Sequence, residues 1–97
     1  MAEGPMIQAM VWYKKEDWDT LMTIFSDTHM LPRTYEDWLQ RAEEMVEKVQ
    51  AQGDQVVKVY IDPETFPEWC KKKNRKPDAE ARADLAIEVV NMQNFNL

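Results

Sequence analysis

The stretch Gly53–Cys70 constrains the fold more than any other part of this chain. It opens on a turn-forming pair, Gly53-Asp54. Gln55-Val56-Val57-Lys58-Val59-Tyr60-Ile61 follows and, rich in β-branched and aromatic residues, reads as a strand. Asp62-Pro63-Glu64 then has the form of a helix opening, a capping acid followed by proline at the first helical position. Helical patterns lie on both sides of this strand, so its apolar face must be covered by helices. Val57, Val59 and Ile61 make one fully apolar face, read as core. Val56, Lys58 and Tyr60 make a mixed face, read as half covered.

A partner strand is sought in Met6–Tyr13, where Ile7, Ala9, Val11 and Tyr13 share a face. The alternation is weak, and a short helical or irregular arm fits an apolar run of this length as well. A first helix is predicted from near Lys15 to about Ser26, with Trp18, Leu21, Met22 and Phe25 on its inner side. Asp27–Arg33 has turn composition. A second helix opens on Thr34 as N-cap, with Asp37 three residues on, and carries a stripe of Tyr35, Trp38, Leu39, Ala42, Met45, Val46 and Val49. Gly53 is placed to end it in a left-handed conformation. Ile61 and Phe66 have the spacing of a hydrophobic staple, but Pro67 crowds a helix opened at Pro63. Residues 63–66 are therefore read as a separate turn, with a third helix from Pro67 to near Lys73. The last helix starts after Pro77 with Asp78 as N-cap, and Ala79, Ala83, Ala86, Ile87 and Val90 give it a broad apolar face. Residues 1–5 and 92–97 are read as frayed, with Phe95 able to tuck back.

These elements make one domain, 1–97, of the α+β class: four helices packed on a short two-stranded sheet, in the order β-α-α-β-α-α. Alternating element directions predict antiparallel strands. If Met6–Tyr13 is not a strand, the fold becomes a mostly helical bundle with one edge strand at 55–61.

Glu16-Asp17-Trp18 and Glu36-Asp37-Trp38 repeat at the same offset from a helix start, and Glu64-Thr65-Phe66 has the same form. Acids in a first turn meet the positive helix end, and the following aromatic turns back on the entering chain, as Trp18 does toward Tyr13. Trp12-Tyr13, Glu16-Asp17-Trp18, Leu31-Pro32, Thr34–Leu39, Val59–Pro63, Trp69-Cys70 and Asp78 with Ala81-Arg82 together resemble a group of small uncharacterised bacterial proteins. The resemblance spans about residues 12–90. It implies a bacterial single-domain protein and carries over no functional residue.

Charge narrows the function classes. The net charge is −6, and the run Lys71-Lys72-Lys73-Asn74-Arg75-Lys76 carries +5, which leaves −11 on the remainder. An acidic surface repels phosphates over most of its area, which argues against general nucleic-acid or anionic-membrane binding. One cysteine excludes an internal disulfide and fits a reducing compartment. No apolar run approaches a membrane span, and the N-terminus carries an acid where a signal peptide carries basic residues, so the expected location is the cytoplasm.

No motif assigns an activity. Cys70 and His29 are the only thiol and imidazole, and without an oxyanion loop or an orienting partner Cys70 reads as a small core residue. Asp27-x-His29 lacks the spacing of a metal site and reads as a polar turn. No cofactor loop or ligand cluster appears. The acidic face Glu43, Glu44, Glu47 reads as solvated, with docking on a basic partner as the sharper alternative. Lys71, Lys72, Lys73, Arg75 and Lys76 form the candidate interaction surface. They complement a helix C-terminus or touch phosphates beside Trp69, but a recognition helix opening on Asp78-Ala79-Glu80 would aim carboxylates at DNA. The favoured function is a small protein–protein interaction or regulatory module without catalysis. Alternatives are a small-molecule binder or enzyme whose pocket uses Trp rings with His29 or Tyr60, and a nucleic-acid binder through Lys71–Lys76. Because a two-stranded sheet is marginal alone, homodimerisation through strand 55–61 is also expected.

Overall fold

A computed structural model describes residues 6–95, with side chains to residue 92. Strand β1 (Ile7–Trp12) leads through a 3₁₀ turn (Lys15–Asp17) into helix α1 (Trp18–Ile24). A second 3₁₀ turn (Thr28–Met30) precedes the long helix α2 (Tyr35–Ala51). Strand β2 (Gln55–Tyr60), helix α3 (Thr65–Lys72) and helix α4 (Ala79–Phe95) complete the chain. Met6–Tyr13 thus does supply a strand, and the class is α+β in the expected element order.

The strands pair in parallel, Ile7 beside Gln55 through Trp12 beside Tyr60. This corrects the antiparallel sheet predicted from alternating directions, and the reason lies in α1. It has seven residues, so it is about 10 Å long. Extended backbone follows it at Phe25 and again at Leu31. It therefore does not carry the chain back along the strand. The 17 residues of α2, roughly 25 Å of helix, make the return alone, and β2 sets out in the direction of β1. Parallel strands need such a crossover. Asp54 fixes the register at the entry: its carboxylate accepts from the Met6 N–H at 3.1 Å and from Gln8 Nε2 at 2.8 Å.

Helices cover the sheet on both faces. Ala9, Val11, Val57 and Val59 lie under Ala86, Val89 and Val90 of α4. On the other face Trp12 meets Trp38 of α2, with ring centroids 5.1 Å apart. The main core continues past the strand ends as an aromatic cluster of Trp12, Tyr13, Trp18, Phe25, Trp38 and Phe66, with Leu21, Ile61 and Cys70. Each buried ring contributes on the order of 2–3 kcal/mol. Trp18 packs edge-on to Tyr13 at 5.8 Å, as the staple reading requires.

Local signals set the helix ends. Thr34 Oγ1 accepts from the Asp37 N–H at 3.1 Å, and Asp78 Oδ1 from the Ala81 N–H at 3.0 Å. Gly53, at φ 92°, closes α2 in a Schellman motif: its N–H reaches Gln50 O at 2.9 Å, and the Asp54 N–H reaches Val49 O at 3.3 Å. Three boundaries differ from the prediction. Helix α1 covers Trp18–Ile24 alone, with Lys15–Asp17 in a 3₁₀ turn and extended backbone at Phe25, in place of one helix from Lys15 to about Ser26. Helix α3 begins at Thr65, with Pro67 third. The first N–H groups of any helix lack an intrahelical acceptor, so the proline removes no bond there. Helix α4 runs to Phe95, past the expected end near residue 91. The fraying expected of residues 1–5 and the packing expected of Phe95 fall outside the described residues and side chains.

Candidate functional site

The basic run begins inside α3 and ends at α4. Asp62 opens α3: its Oδ1 accepts from the Glu64 N–H at 2.7 Å and the Thr65 N–H at 3.3 Å. Phe66 and Cys70 then fall on the buried side, which turns Glu68, Lys71 and Lys72 outward. Asn74 ends the helix at φ 56°. Its N–H bonds to Lys71 O at 3.2 Å and the Arg75 N–H bonds to Cys70 O at 2.8 Å, a second Schellman closure with asparagine in the left-handed position. The closure swings the chain toward Pro77, whose carbonyl accepts from the Ser26 N–H at 3.0 Å.

The five cations separate into two groups. Lys73 pairs with Glu88 of α4 at 3.7 Å and lies 5.9 Å from the centre of the Trp69 ring. Arg75 pairs with Asp84. These contacts fasten α3 to α4, as does the Trp69 Nε1–H, which donates to Glu88 at 3.4 Å. Lys71, Lys72 and Lys76 make no ion pair among the described residues. Lys71 and Lys72 stand in the last turn of α3, where the helix dipole is negative, beside two shallow grooves. One, about 500 Å³, is lined by Pro67, Glu68, Lys71 and Lys72. The other, about 510 Å³, is lined by Glu64, Thr65, Glu68, Trp69 and Lys72. Pro67 and Trp69 give these grooves apolar ground beside Lys71 and Lys72, with Glu68 lining both and Glu64 one. Lys76 lies past the turn, on a separate groove with Lys71, Asn74 and Arg75.

The remaining candidates are placed elsewhere. Trp12 and Trp18 are buried against Trp38 and reach only the floors of two smaller grooves, of about 300 and 260 Å³, whereas Trp69 borders a groove along α3. Tyr60 is exposed at the end of β2, with Lys14 5.7 Å from its ring centre. His29 is exposed on the second 3₁₀ turn, whereas Cys70 is buried with its Sγ 4.0 Å from Lys76 O. Burial, and next the charge of Asp78, push the Cys70 thiol above its ordinary pKa; the neutral thiol is a poor nucleophile.

Asp27, read as part of a polar turn, has a different role. It receives Arg82 in a two-bond pair. Arg82 is the one buried charged residue among the described residues, 3% exposed. Its guanidinium lies 4.2 Å from the centre of the Phe25 ring. The only trace in the sequence was an arginine set among the small residues Ala81, Ala83 and Ala86.

The fold is thus a two-stranded parallel sheet between α2 and α4, with α3 presenting a basic, grooved end. The chain belongs to the family described as Domain of unknown function (DUF8829), whose model matches residues 2–94. No curated protein and no solved structure matches the chain. No helix among the described residues is long and apolar enough to cross a membrane.

Proposed function

We propose that this protein is a small non-catalytic interaction module of a bacterial cytoplasm, and that it docks an acidic segment of a partner protein along α3. One observation carries the reading. Lys71, Lys72 and Lys76 have no counter-ion among the described residues, and Lys71 and Lys72 line grooves with Pro67 and Trp69 at their surface. An acidic strand or helix with an apolar anchor complements that pattern in both charge and shape. Nucleic acid complements only the charge: Asp78, Glu80 and Asp84 open α4 close by, and the rest of the molecule is acidic.

The test uses a fluorescein-labelled Glu/Asp-rich peptide carrying one Trp, read by anisotropy, against an oligo-dT strand and a Lys-rich peptide. The acidic peptide should bind with an affinity that falls as salt rises. Lys71→Glu, Lys72→Glu and Lys76→Glu together should weaken it roughly ten- to hundredfold, a few tenths to one kcal/mol per exposed pair. Lys48→Glu on α2 should change little. Preference for oligo-dT moves the assignment to single-stranded nucleic acid, and absence of binding to either removes this surface as the functional one.

A further inference from the structure

The geometry points to a second docking surface, the outer edge of β1 with the neighbouring flank of α4, and to a second copy of this chain as its occupant. It is independent of the α3 surface. Among the described residues the sheet has two strands, so each has one edge with no neighbour among them. The Gln55 N–H bonds to Met6 O at 2.8 Å and the Ile61 N–H to Trp12 O at 3.0 Å. With the two-residue period of a strand, the backbone groups of Gln8 and Met10 face β2 as well. Those of Ile7, Ala9 and Val11 therefore face outward, as do those of Val56, Lys58 and Tyr60 on β2.

The two edges differ in chemistry. On β2, Lys58 stands among the outward-facing residues and Lys14 lies over Tyr60. Lysines on an edge strand oppose pairing with another chain. This disfavours a dimer through 55–61. On β1, Ile7–Trp12 has no charge and no proline, and Met6 and Ile7 are 63% and 44% exposed.

Helix α4 supplies the second observation. It packs mainly on β1, yet its apolar residues are not confined to the packed side. Asp84 and Glu88 hold the flank facing α3, while Ala83 and Ile87 are exposed on another, Ile87 by 53%. The usual right hand of a β-α-β crossover sets that flank above the outer edge of β1. A helix apolar on more than its packed face is built to be covered there.

The occupant follows from charge and symmetry. A chain of net charge −6 repels its own copies except where the meeting surfaces are uncharged. Strand β1 satisfies that condition. Set antiparallel across a two-fold axis at Ala9, it pairs Ile7 with Val11 of the second copy and closes the outward N–H and C=O groups of both. The sheet becomes four-stranded, and the two α4 helices come side by side with Ile87 near the axis.

Sedimentation and amide hydrogen exchange, each over a concentration series, test this. A dimer should form by high micromolar concentration, and the Ile7, Ala9 and Val11 amides should then exchange about tenfold slower or more, in proportion to dimer fraction. Those of Val56, Lys58 and Tyr60 should not slow. Ile7→Lys with Ile87→Glu, both at exposed positions, should raise the dissociation constant at least about tenfold while circular dichroism stays native. Tyr60→Lys should leave the dimer intact, as should the triple lysine reversal on α3. A monomer mass at every concentration overturns the proposal, as does a dimer that survives the double variant or is lost on Tyr60→Lys.

Discussion

Arg82 and Asp27 stand 55 residues apart and meet through Nη1 to Oδ1 and Nη2 to Oδ2, each at 2.8 Å. The pair joins the first turn of α4 to the loop after α1. Both side chains are withdrawn from water, 4% and 16% exposed. A buried pair adds little over a well-packed apolar pair, but removing one partner leaves an unpaired buried charge. Arg82→Ala should therefore cost about 3–5 kcal/mol. Arg82→Lys should recover only part, because an ammonium cannot make the planar fork. Arg82→Met with Asp27→Leu should restore most of the loss. Urea unfolding of the four proteins checks the order.

The same pair sets an acid limb on stability. Hydrogen bonds from Arg82 hold the Asp27 carboxyl below its ordinary pKa of 3.8, against the opposing effect of burial. A depressed carboxyl stabilises fully above its unfolded value and loses that contribution as pH falls through the folded one. Urea midpoints should thus drop below pH 3.8 more steeply in the parent than in Asp27→Asn, and the two curves should converge in acid. A constant offset between them down to pH 2 would contradict the assignment.

Tyr13 sets the alkaline limb. Burial pushes its hydroxyl from 10.0 up to about 12, with the charge of Arg82 acting the other way. A raised pKa stabilises fully below the unfolded value and is lost as pH climbs through the folded one. Stability should fall between pH 10 and about 12, and Tyr13→Phe should remove Tyr13's share of that fall. Absorbance at 295 nm should show one tyrosine ionising about two units late.

Cys70 should label with iodoacetamide at least about a hundredfold more slowly in the native protein than in urea, because reaching it requires opening a packed core. It is 3% exposed beside Phe66 and Ile61. Rapid native labelling would show that the end of α3 opens readily.

What was legible in the sequence was local. Thr34, Asp78 and Gly53 act on groups three to five residues away, so composition and spacing sufficed to place them. Strand direction was not local. It depends on how far the chain from Phe25 to Thr34 travels without a helix, which periodicity does not report. The Arg82–Asp27 pair was hidden for the same reason, since neither residue carries a mark of the other. The basic run was visible as charge, but the engagement of Lys73 by Glu88 and of Arg75 by Asp84 appears only once α3 and α4 are side by side. The surface left for a partner is thus smaller than the run suggested.

The two left-handed closures give a comparison within one molecule. Gly53 at φ 92° and Asn74 at φ 56° occupy the same position of the same motif. Nothing lies within 4 Å of a Cβ built on Gly53, so Gly53→Ala tests backbone strain alone and should cost about 1 kcal/mol. Asn74 already tolerates the conformation better than most residues. Asn74→Gly should therefore be neutral or slightly stabilising, while Asn74→Ala should cost about 1 kcal/mol. A domain of this size shifts its melting temperature by roughly 4–8 °C per kcal/mol, so thermal scans resolve the three variants. If Asn74→Ala melts with the parent, the α3 closure is not held by its left-handed residue. The turn that presents Lys76 would then rest on the Arg75–Asp84 pair, and Asp84→Asn in the Asn74→Ala background should release it.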